Sequence, residues 1–277
     1  MSAGAATSGS DSQVEPVPLL EVSDLTLRFG GINTLTAVDF EVFAAELFAI
    51  IGPNGAGKTS IFNCLNGAYR PQSGSIALDG VELVGRRPSA IASRGLARTF
   101  QNLALFTNLD VIDNLMLGRH HLMRTGFLSG MAWVGRAKRE EVVHRRPCEE
   151  IAELLMLGAY RGIPVATLPY GVQKRIELGR ALAMDPKLLL LDEPVAGMNV
   201  EETESMARTI LRLRAELGLT MILVEHDMHL IMDLADRVLA LNFGEVTAVG
   251  PPAEIQTDPA VIAAYLGGDA MQEGGQA

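Results

Sequence analysis

Residues 52 to 59 read Gly-Pro-Asn-Gly-Ala-Gly-Lys-Thr, the G-x-x-x-x-G-K-[ST] spacing of a loop that wraps the phosphates of a nucleotide. Each residue type has a task in that chemistry. Gly52, Gly55 and Gly57, with Pro53, Asn54 and Ala56 between them, let backbone N–H groups close around an anion, and the helix that follows from Ser60 adds the positive end of its dipole. Lys58 is placed to reach the β- and γ-phosphates, and the Thr59 hydroxyl to ligate Mg²⁺. A second cluster, Leu188-Leu189-Leu190-Leu191-Asp192-Glu193, ends an apolar run in two carboxylates. At the C-terminal end of a parallel strand, where α/β sheets bind ligands, Asp192 would hold the Mg²⁺ shell and Glu193 would polarise the attacking water.

Such residues need a sheet to hold them. Leu47–Ile51, Leu188–Leu191, Met221–Val224 and Val238–Leu241 are short β-rich runs bounded by turns, which predicts an α/β fold with a largely parallel sheet. Met206, Ile210, Leu213 and Leu217 recur at helical steps and predict a buried helix face. Leu20–Phe29 and Val38–Phe43 alternate in the way of antiparallel strands, giving an N-terminal antiparallel β subdomain. From about 102 to 180 helical spacing dominates, which predicts a helical lobe inserted in the α/β core. The expected organisation is a disordered lead-in over 1–18, one domain over 19–268, and a flexible tail over 269–277.

Composition narrows the class. The chain has 277 residues, 48% of them apolar, with 23 basic against 33 acidic residues and two cysteines. That supports a substantial core, and a net charge of −10 argues against non-specific nucleic-acid binding, which begins with phosphate neutralisation. Cys64 and Cys148 fit no metal-ligand spacing, and Cys64 reads as a small buried apolar residue. The longest stretch free of Asp, Glu, Lys, Arg and His, Gly162–Gln173, contains two prolines and two glycines, so no membrane-spanning helix is expected. The first 18 residues carry neither a basic nor an apolar block and are not expected to be a signal peptide. Arg119–Arg146 holds seven Arg and Lys against two Glu, around Trp133. It reads either as a solvated helical face or as a docking surface for a membrane partner. His120 and His121 read as surface.

None of the four lysines follows an asparagine, which removes the guanine-reading box of a GTPase. Four further motifs follow in order: Gln101 in Arg98-Thr99-Phe100-Gln101-Asn102, the run Leu168-Pro169-Tyr170-Gly171-Val172-Gln173, Ala196-Gly197-Met198-Asn199, and His226 in Val224-Glu225-His226-Asp227. With them the chain, from about Leu19 to Gly267, resembles the ATP-binding subunit of ABC transporters. It is most similar there to the ATPases of branched-chain amino-acid importers, through Arg28-Phe29-Gly30-Gly31, Phe62-Asn63-Cys64-Leu65, Tyr-Gly in the signature, Glu225-His226-Asp227-Met228 and Ala264-Tyr265-Leu266-Gly267.

The resemblance implies a P-loop ATPase of the ABC type, using ATP and Mg²⁺, that works as a head-to-tail dimer with itself or a paralogue. ATP would lie between the phosphate loop of one subunit and the Leu168–Gln173 signature of the other. Phe29 would stack on adenine, Gln101 would touch Mg²⁺ and the lytic water, and His226 would hydrogen-bond the γ-phosphate. Transmembrane permease subunits, and indirectly a solute-binding protein, are the implied partners, at the cytoplasmic face of the membrane. Two positions depart from the pattern: Pro169 replaces the signature's usual serine, so a weaker trans-clamp or a heterodimer is expected, and Asn199 replaces the usual aspartate, so altered communication across the dimer is expected. A lipid or polysaccharide exporter ATPase shares every catalytic motif and stays open, as does a soluble scaffold ATPase of the kind that assists iron–sulfur assembly. The absence of sustained heptads between Gly52 and Asp192 and the single ATPase domain argue against repair and translation types, and no nucleic-acid partner is expected.

Overall fold

A computed structural model describes residues 17–99, 105–122 and 136–265, with side chains from 141 onward in the last segment. Residues 1–16, Gln101, Arg124, Trp133 and the tail from 266 lie outside the described residues.

Among the described residues ten strands form two sheets. The first sheet is antiparallel and contains β1 (Leu20–Phe29), β2 (Ile32–Val42), β4 (Ser73–Leu78) and β5 (Val81–Glu82), in the order β2-β1-β4-β5. The second contains β3 (Leu47–Ile51), β6 (Leu96–Arg98), β7 (Leu188–Asp192), β8 (Thr220–Val224), β9 (Arg237–Asn242) and β10 (Glu245–Gly250), in the order β10-β9-β3-β8-β7-β6. The strands β9, β3, β8, β7 and β6 pair in parallel, and only β10 runs antiparallel to its neighbour. Every residue of β3, β7 and β8 is buried, as expected where both faces of a parallel sheet are covered.

Alternation sends the two faces of those strands to different partners. Phe48, Ile50, Leu188, Leu190, Ile222 and Val224 join Leu20, Val22, Leu35 and Ile76 of the antiparallel sheet, together with Ile61 and Phe62 of α1 (Lys58–Leu65). Leu47, Leu189, Leu191, Met221 and Leu223 face the helices instead. Those are α3 (Val111–Gly118), α4 (Arg136–Leu154), α5 (Tyr170–Leu182) and α6 (Val200–Leu217); the short α2 (Pro88–Ala92) caps the other core through Ile91. Two further helices, α7 (Met228–Leu234) and α8 (Pro252–Thr257), pack with Ala49, Ile51 and Val238. Asn114, fully buried in α3, bonds both backbone groups of Phe106 and the carbonyls of Leu109 and Asp110, which ties the 106–110 loop to the helix.

Local signals explain where elements begin and end. On α6, Asn199 and Glu202 form a reciprocal capping box at the start, and Gly218 closes the helix in the left-handed region at φ 60°. Met206, Ile210 and Leu213 are buried as the spacing predicts, but Leu217 is 54% exposed. It stands in the terminal turn, and Leu219, beyond the cap, takes the buried place. The first hairpin also starts earlier than the alternation suggests: β2 begins at Ile32, and register shifts along β1 and β2 hide the period.

Candidate active site

Strand order brings the chemistry together. The strands β3, β8 and β7 are neighbours and parallel, so the residues following Ile51, Val224 and Leu191 emerge at one edge of the sheet, where ligands of open α/β sheets bind. The phosphate loop, the Glu225-His226 pair and the Asp192-Glu193 pair are those residues.

The loop is held by its backbone. Gly52 has φ 150°, and a Cβ there would lie 2.2 Å from the Leu241 carbonyl oxygen, so no side chain fits. Gly57 is the left-handed N-cap of α1, and no side chain caps the helix. Its first N–H groups are left to an anion, with the dipole behind them. Lys58 is buried and folds back on the loop, its Nζ donating to the carbonyls of Gly52 at 2.6 Å and Pro53 at 3.1 Å. Burial lowers its pKa, and the carboxylates of Glu193 and Asp192 oppose that shift. Both acids therefore act electrostatically on the lysine. Asn54, Gly55 and Thr59 are exposed, Ala56 is buried, and Ser60 is half-buried beside them.

Asp192 is nearly fully buried, and its Oδ2 accepts from the Arg98 guanidinium at 2.6 Å. The same guanidinium donates to Asn63 Oδ1 of α1 at 2.7 Å and lies over the Phe62 ring. Thr99 adds a hydroxyl that accepts the Asp192 N–H at 3.2 Å. Spacing assigned Asp192 to Mg²⁺ and gave Arg98 no role; the structure makes Arg98 the residue that orients Asp192 against α1. Nothing local in the sequence signals this, because Asn63 and Asp192 lie 35 and 94 residues from Arg98.

Glu193 takes φ 48°, a left-handed conformation that costs a non-glycine residue about 1–2 kcal/mol. There its Oε1 lies 2.7 Å from His226 Nε2. An acid and an imidazole in hydrogen-bond contact, at the sheet edge that also carries the phosphate loop, suit proton abstraction from water next to a phosphate. The oxygen donors also fit Mg²⁺, a hard cation bound through one or two carboxylates together with phosphates and water. Among the described residues no group of three His, Cys, Asp or Glu could hold a metal alone, so Thr59 and Asp192 would share the ion with the nucleotide.

The remaining predicted residues fall into three places. Phe29 is 47% exposed at the hairpin tip, where Tyr69 meets its ring edge-to-face at 5.0 Å, leaving an aromatic surface of the kind a base stacks on. Pro169 is the N-cap of α5 and contributes no side-chain cap. Its carbonyl accepts the N–H groups of Val172 and Gln173. Gln173 turns its amide onto the Leu168 carbonyl, and the Tyr170 hydroxyl donates to the Ala196 carbonyl at 3.1 Å. A Cβ on Gly171 would lie 2.8 Å from Glu202 Oε1. The signature thus packs on the Ala196–Glu202 segment. Gln101 lies outside the described residues.

The cysteines are buried, and burial pushes the Cys64 thiol up to about 12 and the Cys148 thiol to about 11. Neither is a ready nucleophile. His120 and His121 are exposed. Tyr265, noticed in the sequence only as part of a terminal motif, packs against the cluster of Ala49, Ile51 and Val238, where burial raises the pKa of its phenol and the Gly52 backbone opposes that shift.

Residues 35–196 match the family model described as ABC transporter, and residues 248–271 match one described as branched-chain amino acid ATP-binding cassette transporter. The chain is 41% identical over 250 residues to the high-affinity branched-chain amino acid transport ATP-binding protein BraF of Pseudomonas aeruginosa, covering 90% of this chain and 98% of that one. To LivG of Escherichia coli K12, which carries the same description, it is 39% identical with the same coverage. The fold matches the ADP conformation of MJ1267, an ATP-binding cassette of an ABC transporter, with a TM-score of 0.79, 24% identity, and coverage of 91% of this chain and 99% of that one. A family match over more than half of the chain, and relatives aligned along nearly their whole length, show the family: the chain belongs to the ABC transporter family, as an ATP-binding subunit with ATPase activity.

Proposed function

We propose that the chain is the ATPase of an importer for branched-chain amino acids or similar small molecules, hydrolysing ATP with Mg²⁺ between two ATPase subunits to drive a separate membrane permease. The observation that carries this reading is the likeness to BraF over nearly the whole chain, C-terminal segment included. Among the described residues no helix is long and apolar enough to cross a membrane, which suits a subunit that meets its permease at the membrane surface. A solute-binding protein would deliver the cargo to that permease.

The chain's own residues supply the steps. Lys58 exchanges its two backbone carbonyls for phosphate oxygens, and the N–H groups opening α1 complete the phosphate cradle. Phe29 receives the adenine face. Glu193 takes the proton of the attacking water while His226 orients that carboxylate and reaches toward the γ-phosphate. Thr59 and Asp192, with Gln101 as the resemblance implies, would hold Mg²⁺, which when bound would supply charge neutralisation for phosphoryl transfer.

Deleting the gene from its native host and measuring uptake of labelled leucine tests the reading. Uptake should fall to background, return with the wild-type chain, and stay at background with Lys58→Ala. Unchanged leucine, isoleucine and valine uptake in the deletion strain would remove branched-chain import from the proposal.

A further inference from the structure

Glu225 is a buried acid to which the hydrolytic scheme gives no part. It is 4% exposed, immediately after β8, and both of its carboxylate oxygens are committed to backbone. One oxygen accepts the Val195 N–H at 3.1 Å and the other accepts the His226 N–H at 3.1 Å. Val195 lies two residues beyond Glu193, and His226 is the residue whose imidazole meets Glu193 at 2.7 Å. The contacts close a ring: Glu193 side chain to His226 side chain, His226 backbone to Glu225, Glu225 to Val195, and along the chain back to Glu193. A bond from the Glu193 N–H to the Val224 carbonyl, 2.9 Å, ties the same two strand ends a second time.

The residue type matters. A carboxylate offers two acceptors and no donor, which is what two converging N–H groups require. An amide in the same place would turn its NH₂ toward one of them, and an aspartate is a methylene too short to span both. The arrangement is costly, since burial raises the carboxyl's pKa. The Val195 and His226 N–H groups pull it back, the Glu193 charge raises it further, and His226 lowers it. Fully satisfied buried polar groups of this kind rigidify and specify a single geometry.

We propose that Glu225 is a positioning residue for hydrolysis: its carboxylate clamps the loop after Glu193 to the backbone of His226, so that the two side chains meet without Glu225 touching nucleotide. The proposal rests on reading Glu193 and His226 as the hydrolytic pair.

Full-length Glu225→Ala, Glu225→Gln, His226→Ala and the Glu225→Ala/His226→Ala double variant test it by two readouts. In the nucleotide-free protein, Glu225→Ala should speed hydrogen exchange of the Val195 and His226 amides by about tenfold or more, the scale of losing a buried charged acceptor. In turnover, Glu225→Ala should lower kcat by about tenfold or more with ATP affinity within about twofold, Glu225→Gln should fall between it and wild type, and in the His226→Ala background Glu225→Ala should cost little further. Unchanged exchange, wild-type kcat, parallel loss of kcat and affinity, or additive losses in the double variant would each overturn the clamp. Should Glu225→Ala fail to fold, Glu225→Gln, of nearly equal volume, carries the same measurements. A wild-type chain without ATPase activity would refute the hydrolytic reading, while the exchange data would still judge the clamp.

Discussion

At the scale of single residues the site is a set of charges managed by burial. Lys58 is held ready by two carbonyls, Asp192 by Arg98, and Glu193 by His226. Removing only the basicity of Glu193 tests its role: Glu193→Gln should keep ATP binding while turnover falls about 10²–10⁴-fold, the range for a lost general base. Equilibrium binding and single-turnover assays check it, and wild-type turnover would exclude Glu193 as the base. Glu225 makes a separate prediction about stability. Its folded-state pKa is raised, so the folded chain binds the proton more tightly than the unfolded chain, and stability falls as pH rises from about 4.5 through the raised value. Glu225→Gln lacks that titration. Denaturant melts should therefore show the variant gaining on wild type across this window and keeping a constant difference above it; a pH-independent difference would contradict the assigned shift. The places of Lys58, Thr59, Asp192 and Glu193, in a glycine-rich loop and at a strand end, were legible in the sequence because contiguous runs carry them. The contacts of Arg98 and Glu225 were not, because Asn63, Asp192 and Val195 lie far from them in the sequence.

At the scale of elements, the order β3-β8-β7 does the positioning. Contiguous apolar runs made those strands readable, since a strand buried on both faces has no polar alternation to confuse with a loop. The sequence could not reveal their spatial order, and it is the order that sets the His226 loop between the phosphate loop and Glu193. Helix α6 misled at its end for a related reason: helical period gives the face but not where the face leaves the core, so Leu217 was expected inside. Asn199 shows how an apparent departure can satisfy a structural requirement. As N-cap of α6 its side chain accepts the Glu202 N–H at 3.0 Å, and Glu202 returns a bond to the Asn199 N–H at 3.1 Å. An uncharged acceptor serves that role as well as a carboxylate. Asn199→Ala should lower the unfolding free energy by about 1 kcal/mol, and Asn199→Asp by much less. Chemical denaturation of the nucleotide-free chain measures both; equal losses would show that the cap is not what the side chain contributes.

At the scale of the whole molecule, the signature and the phosphate loop of one chain are not joined by hydrogen bonds among the described residues. The Leu168–Gln173 run is bonded to itself and to the Ala196–Glu202 segment. In the proposed head-to-tail dimer a nucleotide touches both signature and phosphate loop by lying between two subunits, and it favours their association only to the extent that it binds the closed pair better than the separate chains. ATP should do this and ADP should not, because the γ-phosphate is the group that reaches across. In light scattering, Glu193→Gln with Mg²⁺ and ATP should run as a dimer, while the same variant with ADP, or Glu193→Gln combined with Lys58→Ala, should stay monomeric. Pro169 gives this test a finer edge. It caps α5 with neither a hydroxyl nor an N–H, so Pro169→Ser in the Glu193→Gln background should restore a donor to a charged phosphate. That bond is worth about 1.5–3 kcal/mol, which tightens the ATP-dependent dimer by about tenfold or more. An unchanged dissociation constant in the serine variant would mean that the α5 N-terminus does not face the γ-phosphate, and a Glu193→Gln chain that stays monomeric with ATP would point to a paralogous partner carrying the second signature.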